Sequence, residues 1–434
     1  MKIKNSLEQK SKKGEKFYIF ALFALIIISS FIFLNGKVFN LKEAAIIESN
    51  NLIDIFQKTG ATSSEIVPEK ESKKPEIGTE KTNTAQQKII TNLIDPAGQL
   101  VHHLFNIENV PAAKGVVFTP NDKEIWMTLL LNENSGVSIF EAKSGKKITD
   151  INLAGGGGVE IIFSKDGSRA YVSQMETAKV FEINAITKKV LRVFDTKSTW
   201  TKVLELSPDG KTLFASNWVG NDVSEINLET GKLLRNIPVV KTPRGLYATK
   251  DGNYLYVAGF GNGEIEKVDL KTGKGKILYT SGGAMRHIVA DEEKGVLYIS
   301  DMGKNAIFQL SLSDDSVKKF ADTDKNPNTI ELSPDKKILY VSCRGENYSA
   351  TNYYVPGPEW GTVLLFDTQD GKMLDAIVGG NQPTALDVSN DGKYLIFSDF
   401  LDNRMEVFEI PSYEILKAGN GGRSNIYKSD IKKY

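Results

Sequence analysis

The side chains best suited to chemistry occupy equivalent positions in a pattern that returns along the chain. Directly before one apolar segment of each copy, four of the seven positions are basic: Lys114, Lys202, Arg244 and Arg286. One residue beyond a second apolar segment, six of the seven positions are large and apolar, and the remaining one is Arg344. Those six are Leu130, Met175, Trp218, Phe260, Met302 and Phe400. Brought together, they would form an apolar ring with a cationic rim, which suits an anionic or aromatic-bearing ligand. The alternative is that the ring residues only plug the end of a channel, while the cations are solvated or paired with Asp301, Asp399 and Glu176.

Acidic residues and one histidine alternate with apolar residues in the segments that follow the basic positions. If they line a common channel, their oxygen atoms could hold Ca²⁺ or another divalent cation and support hydrolysis of a lactone. The four carboxyl groups are Glu160, Glu205, Glu331 and Asp387. The competing interpretation is a water-filled channel in which these acids pair with nearby Lys and Arg. His287 could serve as a base or a ligand, although a lone histidine is more often a hydrogen-bonded structural residue.

Several classes of chemistry lose support because their motifs are absent. Cys343 is the single cysteine, which excludes an intramolecular disulfide and a cysteine metal cluster. The sequence has no haem attachment motif, no glycine-rich phosphate loop and no Gly-x-Ser-x-Gly elbow. Its 54 basic and 54 acidic residues balance, so the overall charge gives no reason to expect nucleic-acid binding.

The pattern that carries these residues is a repeat of about 42 residues. Each copy starts at a turn of the Ser-Pro-Asp-Gly type, continues through two alternating strands and reaches a second turn. The copies start at Thr119, Ser164, Ser207, Thr249, Asp291, Ser333 and Ser389. Seven such copies, with regular turn signals and period-2 alternation, predict an all-β fold, a seven-bladed β-propeller of four-stranded blades.

The strand before each Ser-Pro-Asp-Gly turn has one face that is apolar in every copy, as in Leu204 and Leu206, and a second face of mixed polarity. The apolar face suits packing between neighbouring blades, and the mixed face suits the innermost strand beside a channel. Closure must hide the edge between the first and last blades. We expect a strand near Leu100–Phe105 to do this from the N-terminal side, with Tyr413–Lys417 as the competing segment.

These repeats resemble the YVTN family of bacterial seven-bladed β-propellers, which includes surface-layer-type proteins. The strand motif of that family corresponds here to Tyr171-Val172-Ser173, Tyr256-Val257-Ala258 and Tyr340-Val341-Ser342. The likeness covers about residues 95 to 418 and implies the propeller fold. It does not imply one function, because related propellers include binding proteins, sugar lactonases and subunits of haem or quinone enzymes.

One rim of such a propeller carries the loops between second and third strands and the connections between blades, and we call it the loop face. The two turns of each copy lie on the opposite rim, which we call the turn face. Function is expected on the loop face. The sixth copy is expanded there between Arg344 and Trp360 and adds Tyr353 and Tyr354. Aromatic residues in such a loop suit contact with a partner, or else form a small core of their own. Asp301 and Asp399 directly follow second strands on the same face.

The N-terminal part differs from the repeats. Residues 1–16 are lysine-rich, and Phe17–Leu34 contains no charged residue. As a helix this run rises about 27 Å, enough to cross a bilayer, so residues 17–35 are predicted to be an uncleaved transmembrane anchor. A cleaved signal peptide is the alternative. The lysines place the N-terminus in the cytoplasm and the remainder outside it, in the periplasm or at the cell surface.

The predicted organisation is therefore a basic tail (1–16), an anchor (17–35), a juxtamembrane helix and flexible stalk (36–92), a propeller (93–420) and a C-terminal tail (421–434). The expected function is binding of a protein or a small anionic ligand at the loop face, without catalysis and without a cofactor. The predicted binding residues are Trp218, Phe260, Arg244, Arg286, His287, Asp301, Arg344, Tyr353, Tyr354, Trp360, Asp399 and Phe400. A metal-dependent lactonase-like hydrolase and a nucleic-acid-binding protein are the alternatives.

Overall fold

The computed structural model describes residues 95–131, 136–346 and 353–433. These residues form seven four-stranded antiparallel sheets. Six sheets consist of four consecutive strands, and the seventh combines the first described strand with the last three. The expected seven-bladed propeller of four-stranded blades is confirmed.

Each blade runs from its inner strand to its outer strand in chain order. Blade 1 contains β2 (Ala113–Phe118), β3 (Glu124–Leu129), β4 (Val137–Glu141) and β5 (Lys147–Ile151). Blade 2 contains β6 (Ile161–Phe163), β7 (Arg169–Gln174), β8 (Lys179–Asn184) and β9 (Val190–Asp195). Blade 3 contains β10 (Thr201–Leu206), β11 (Thr212–Asn217), β12 (Asp222–Asn227) and β13 (Lys232–Pro238). Blade 4 contains β14 (Pro243–Ala248), β15 (Tyr254–Gly259), β16 (Glu264–Asp269) and β17 (Lys274–Thr280).

The remaining blades follow the same plan. Blade 5 contains β18 (Met285–Asp291), β19 (Val296–Asp301), β20 (Ala306–Ser311) and β21 (Val317–Asp322). Blade 6 contains β22 (Pro327–Leu332), β23 (Ile338–Cys343), β24 (Thr362–Asp367) and β25 (Met373–Val378). Blade 7 contains β26 (Pro383–Val388), β27 (Tyr394–Asp399), β28 (Arg404–Glu409) and, as its outer strand, β1 (His102–Glu108).

The Ser-Pro-Asp-Gly turns form because their polar side chains satisfy the backbone locally. In blade 3 the Ser207 hydroxyl donates to Asp209 at 2.6 Å, and the Asp209 carboxylate accepts the Lys211 N–H at 3.1 Å. Gly210 takes a φ of 69°, which glycine adopts without strain. The Ser207 hydrogen bond lowers the pKa of Asp209. The turn is therefore complete without any outside partner.

The core consists of apolar clusters between neighbouring blades, as the alternation predicts. One cluster joins Phe214 and Val223 of blade 3 to Leu246 and Leu255 of blade 4, and all four side chains are buried. Burial of such a side chain stabilises the fold by roughly 1.5 to 3 kcal/mol. This packing fixes the angle between blades and thus the width of the central channel.

Closure occurs from the N-terminal side, which confirms the preferred prediction. Strand β1 pairs with β28, from His102 opposite Glu409 to Glu108 opposite Arg404. The competing segment forms a short helix, α1 (Tyr413–Ala418), against blade 6. Ser412 caps this helix by accepting the Ile415 N–H, and residues of suitable charge occupy its first and last turns.

Asp375 on β25 joins both ends of the described propeller to blade 6. Its carboxylate is fully buried and accepts four backbone N–H groups. The donors are Leu100 at 2.6 Å, Val101 at 3.2 Å, Ala376 at 2.9 Å and Arg423 at 3.0 Å. One buried charge thus holds the segment that leads into the closing strand and the segment that follows α1.

Within the described ranges, no helix has both the length and the apolar character needed to cross a bilayer. The predicted anchor at residues 17–35 and the stalk at 36–92 lie outside those ranges.

Candidate ligand-binding site

The inner strands of six blades share an irregularity at their loop-face end. The register with the second strand shifts between Thr201 and Leu204 in blade 3, and equivalent shifts occur in blades 1, 4, 5, 6 and 7. Such a bulge changes the direction in which side chains point. The basic residues identified from the sequence lie at these bulges, so a recurring backbone feature determines where the charges are placed.

A hydroxyl group from the second strand holds the backbone at the loop-face end of the inner strand in every blade except blade 4, where Ala258 takes its place. In blade 2 the Ser173 hydroxyl accepts the Glu160 N–H at 3.1 Å and donates to the Lys202 carbonyl oxygen of blade 3. The hydroxyls that accept the equivalent N–H are Thr128, Ser173, Ser216, Ser300, Ser342 and Ser398. The hydroxyl of the last residue in the Tyr-Val-Ser motif therefore holds the backbone of the channel wall in place, and we call it a hydroxyl clamp.

The six apolar ring residues come together as predicted, in one buried cluster with Tyr353 and Tyr354. Five of the six ring residues are positioned by their backbone N–H, which donates to the carbonyl directly before the inner strand of the same blade; in blade 3 Trp218 donates to Trp200 at 2.9 Å. Trp218 and Phe260 are in contact, with ring centroids 4.7 Å apart. Tyr353 meets Phe400 at 5.4 Å, so the expanded sixth-blade loop completes the cluster. This cluster lies at the loop-face end of the channel, and we call it the aromatic roof.

The cations lie against this roof and are themselves buried. Lys202 is 1% exposed, with its ammonium 4.3 Å from the centroid of Trp218, and Arg244 lies 5.2 Å from the same ring. Lys114 lies 5.2 Å from Phe400. Such cation–π contacts stabilise a charge by about 2 kcal/mol when it is desolvated, well below the cost of removing it from water. We call this group of residues, the buried cations together with the aromatic roof that they contact, the chamber.

Arg344 is another buried cation of the chamber, at 1% exposure. Its Nε, Nη1 and Nη2 atoms have no hydrogen-bond acceptor among the described residues, and its guanidinium lies 5.1 Å from the Tyr353 ring. Asn328 is fully buried, and neither its Nδ2 nor its Oδ1 has a partner in the described part of the chain. The Gln382 amide nitrogen donates to the Tyr353 carbonyl, but its Oε1 is likewise unsatisfied there.

Glu160 and His287 lie in the channel near these cations. Burial raises the pKa of Glu160 to about 7, although Arg244, Arg286 and Lys114 act in the opposite direction. Burial and the Arg286 charge lower the pKa of His287 to about 4, so the imidazole is neutral at pH 7. Its Nδ1 lies 3.1 Å from the Ile330 carbonyl oxygen and must therefore carry the proton, which leaves Nε2 as an acceptor.

The other three channel carboxyls bind backbone rather than one another. Glu205 accepts the Ala248 N–H of the next blade at 3.1 Å, and Asp387 accepts the Phe118 N–H of blade 1 at 2.6 Å. Glu331 accepts the N–H of the following Leu332 at 2.9 Å. Burial raises the pKa of each, that of Glu205 to about 8. In the described ranges no three His, Cys, Asp or Glu side chains are grouped so as to hold a metal, and these carboxyls do not fit a divalent cation.

Three of the predicted site residues lie elsewhere on the loop face. Asp301 accepts backbone N–H groups of its own loop and of Ala284, at 2.8 to 3.1 Å. Asp399 pairs with Arg404 at 2.9 Å and is fully buried. Trp360 contacts the C-terminal segment, where the Lys433 ammonium lies 4.3 Å from its ring. The two aspartates organise loops, and Trp360 belongs to a separate surface.

Three residues of the chamber were not among those predicted from sequence. Asn328 is the second residue of its inner strand, the position that the basic residues occupy in theirs, which was its only signal. Trp200 and Gln382 directly precede inner strands and have φ values of 61° and 60°. Non-glycine residues adopt this conformation rarely, and the sequence repeat gave no indication of it.

A family model described as "Lactonase, 7-bladed beta-propeller" matches residues 109–287. The match extends from before β2 into β18, which corresponds to blades 1 to 4 and the start of blade 5. It does not reach Asn328, Arg344 or Gln382. The chain is thus similar to this family over residues 109–287, while part of the chamber lies beyond the match.

A curated relative, Antigen Lp49 of Leptospira interrogans, is 34% identical over 306 residues. The match covers 68% of this chain and 66% of that relative, just under two thirds of its length. Among solved structures, hydrazine synthase of Kuenenia stuttgartiensis gives a TM-score of 0.59 at 16% identity, covering 70% of this chain and 96% of that one. This last likeness shows the fold alone. None of the three matches carries the YVTN name, so that resemblance stays a prediction.

Proposed function

We propose that the propeller is a binding module that takes a small anionic ligand with hydroxyl groups into the chamber beneath the aromatic roof. The observation that carries this proposal is Arg344, a buried guanidinium whose three nitrogen atoms lack acceptors in the described ranges. A buried charge without a partner is strongly unfavourable. A carboxylate or phosphate would supply the missing acceptors, in the paired geometry that guanidinium groups favour.

The neutral groups of the chamber support the hydroxyl part of the proposal. Asn328 Oδ1 and Gln382 Oε1 are buried acceptors that find no donor in the described part of the chain. An anion alone offers only acceptors and cannot satisfy them. A hydroxyl group both donates and accepts, so one ligand bearing both groups pairs with Arg344, Asn328 and Gln382 together.

Calorimetric titration with D-gluconate, which has a carboxylate and hydroxyls, tests the ligand class. Acetate retains only the charge, and methyl glucoside retains only the hydroxyls. We expect gluconate to bind at least tenfold more tightly than either. Equal binding of gluconate and methyl glucoside would exclude a site built around the buried cations.

Lactone hydrolysis is a second candidate, favoured by the lactonase family match over residues 109–287. His287 is neutral at pH 7 and has a free Nε2 acceptor, so it can remove a proton from water. The nearby cations would stabilise the oxyanion that forms on the lactone carbonyl. The test is the hydrolysis rate of glucono-δ-lactone above the spontaneous rate, with His287→Gln as the inactive variant. A spontaneous rate with the unmodified protein would remove this candidate.

We propose that the propeller acts outside the cytoplasm, tethered by residues 17–35. The support is the lysine-rich segment 1–16 followed by the uncharged run Phe17–Leu34. Protease is added to cells whose outer layers are permeable but whose cytoplasmic membrane is intact. It should digest the propeller while a cytoplasmic control protein survives. Protection of the propeller under those conditions would contradict the proposed orientation.

A further inference from the structure

A second cavity of about 190 Å³ opens on the loop face beside blades 5 and 6. Its lining differs from that of the chamber. The lining residues used below are Asp324, Lys325, Glu359, Trp360, Lys428 and Ile431. At about 30 Å³ per water molecule, the space equals roughly six waters, which is the scale of a small metabolite rather than of a cofactor.

The C-terminal segment forms one wall of this cavity and is anchored to the expanded sixth-blade loop. Trp360 donates its backbone N–H to the Ile431 carbonyl at 2.7 Å, and Glu359 pairs with Lys432 in an antiparallel bridge. Tyr427 is buried, and its hydroxyl lies 3.2 Å from Asp324 Oδ1. Since backbone contacts hold both sides, the cavity is formed before any ligand arrives.

Charges of opposite sign lie at different depths in the cavity. The carboxylates are nearly buried, with side chains 7% exposed for Asp324 and 17% for Glu359. The ammonium groups lie nearer solvent, with side chains 47% exposed for Lys325 and 60% for Lys428. Lys325 pairs with Glu359 at 3.3 Å and, on its solvent side, with the half-exposed Glu346 at 2.5 Å, and Lys428 pairs with Asp324. The cavity therefore has an acidic floor and a basic rim.

We propose that this cavity binds a free α-amino acid with an apolar side chain. Its ammonium group would reach Asp324 and Glu359, its carboxylate would lie between Lys325 and Lys428, and its side chain would pack against Trp360. A simple anion would meet the acidic floor, and a simple cation would meet the basic rim. A zwitterion satisfies both charge layers at once, because it separates its charges over the same short distance.

Calorimetric titration of the full chain with L-leucine tests the proposal. Two analogues each remove one charge: N-acetyl-L-leucine lacks the ammonium group, and L-leucinamide lacks the carboxylate. We expect each to bind at least tenfold more weakly than L-leucine. The proposal is overturned if either analogue binds as well as L-leucine, or if only methyl glucoside, a neutral sugar, binds.

Two variants locate the binding, and one matched variant controls for loss of charge. Lys325→Gln and Glu359→Gln should each weaken L-leucine binding at least tenfold. Lys241 is exposed and lies at the equivalent place in the connection between blades 3 and 4, so Lys241→Gln should leave binding unchanged. Unchanged binding in both cavity variants, with thermal melting intact, would place the amino acid elsewhere and overturn the assignment.

This inference is independent of the chamber. Arg344→Met should leave L-leucine binding unchanged, and Lys325→Gln should leave D-gluconate binding unchanged. Loss of L-leucine binding in Arg344→Met, with the fold retained, would show that the amino acid occupies the chamber and would overturn the second site.

Discussion

Two fully buried charges in this propeller have opposite surroundings. Asp375, where the two ends of the described propeller meet blade 6, accepts four backbone N–H groups. Arg344, at the loop-face end of the channel, has three nitrogen atoms without an acceptor in the described ranges. The fold can satisfy a buried charge completely where the charge serves the structure. The unsatisfied charge is the observation on which the proposed ligand site rests.

Removal of the satisfied charge should have the largest effect. Asp375→Ala leaves buried N–H groups at the closure without acceptors, and we expect the free energy of unfolding to fall by roughly 3 to 5 kcal/mol. Chemical denaturation measures this loss. D-gluconate affinity of the folded fraction should not change. A loss below about 1 kcal/mol would show that Asp375 is not the closure anchor.

Removal of the unsatisfied charge should have the reverse pattern. Arg344→Met takes away a buried charge that lacks hydrogen bonds, so stability without ligand should be unchanged or higher. Affinity for D-gluconate should fall about 100-fold, or about 2.7 kcal/mol. Arg235→Met is the control and should leave D-gluconate affinity unchanged. Arg235 lies on the outer strand β13, where it pairs with Glu225 at 2.6 Å. A clear loss of stability in Arg344→Met, with gluconate affinity retained, would make Arg344 structural and the contrast with Asp375 false.

The pH dependence of binding sharpens the same contrast. Glu160, whose pKa is about 7, is largely neutral at pH 6 and largely charged at pH 8. Its charge opposes an incoming anion, so D-gluconate should bind up to about tenfold more tightly at pH 6 than at pH 8. In Glu160→Gln this dependence should disappear. Titrations at the two pH values check this, and a pH dependence that persists in the variant would assign it to another group.

Stability should respond to Glu160 with the corresponding sign. Its pKa is raised in the folded state, so its proton favours folding below the ordinary value of 4.5, and that contribution is lost as the pH rises through about 7. Glu160→Gln should therefore gain stability relative to the unmodified protein between pH 6 and pH 8. Melting temperatures at both values measure the difference, and a constant difference would contradict the shifted pKa.

The smallest effect is expected at an exposed charge that is already satisfied. Asp209→Ala removes the acceptor for the Ser207 hydroxyl and the Lys211 N–H, which costs about 1 kcal/mol. D-gluconate binding should be unaffected, because the turn is on the rim opposite the chamber. Melting and titration of the variant test both statements. Weaker gluconate binding would show that the turn face contributes to the site.

The fold was predictable because it depends on features that recur. Turn residues such as Asp209 and Gly210, and alternating pairs such as Leu204 and Leu206, appear in copy after copy. The positions of the ring residues were predictable for the same reason. The sequence also favoured closure from the N-terminal side, although it could not show that Ser412 would direct the competing segment into a helix.

The chemistry was less predictable because it depends on departures from the repeat. Asn328 replaces a basic residue, and Arg344 replaces an apolar ring residue. Each is a single substitution, and the role of the new side chain can be recognised only from its hydrogen-bond partners in the folded protein. The cavity beside Trp360 was hidden for another reason, since its wall comes from residues 427 to 433, which have no counterpart in the other copies.

The hydroxyl clamps have a consequence for how such a protein can change. At four of them the hydroxyl also donates to the inner strand of the following blade, at the carbonyls of Val159, Lys202, Asn328 and Thr384. A neighbouring blade thus fixes the backbone of each of these positions, whatever side chain it carries. These four equivalent positions carry valine, lysine, asparagine and threonine. Substitutions can therefore change the channel lining in one blade at a time, so a new ligand specificity does not require a new fold.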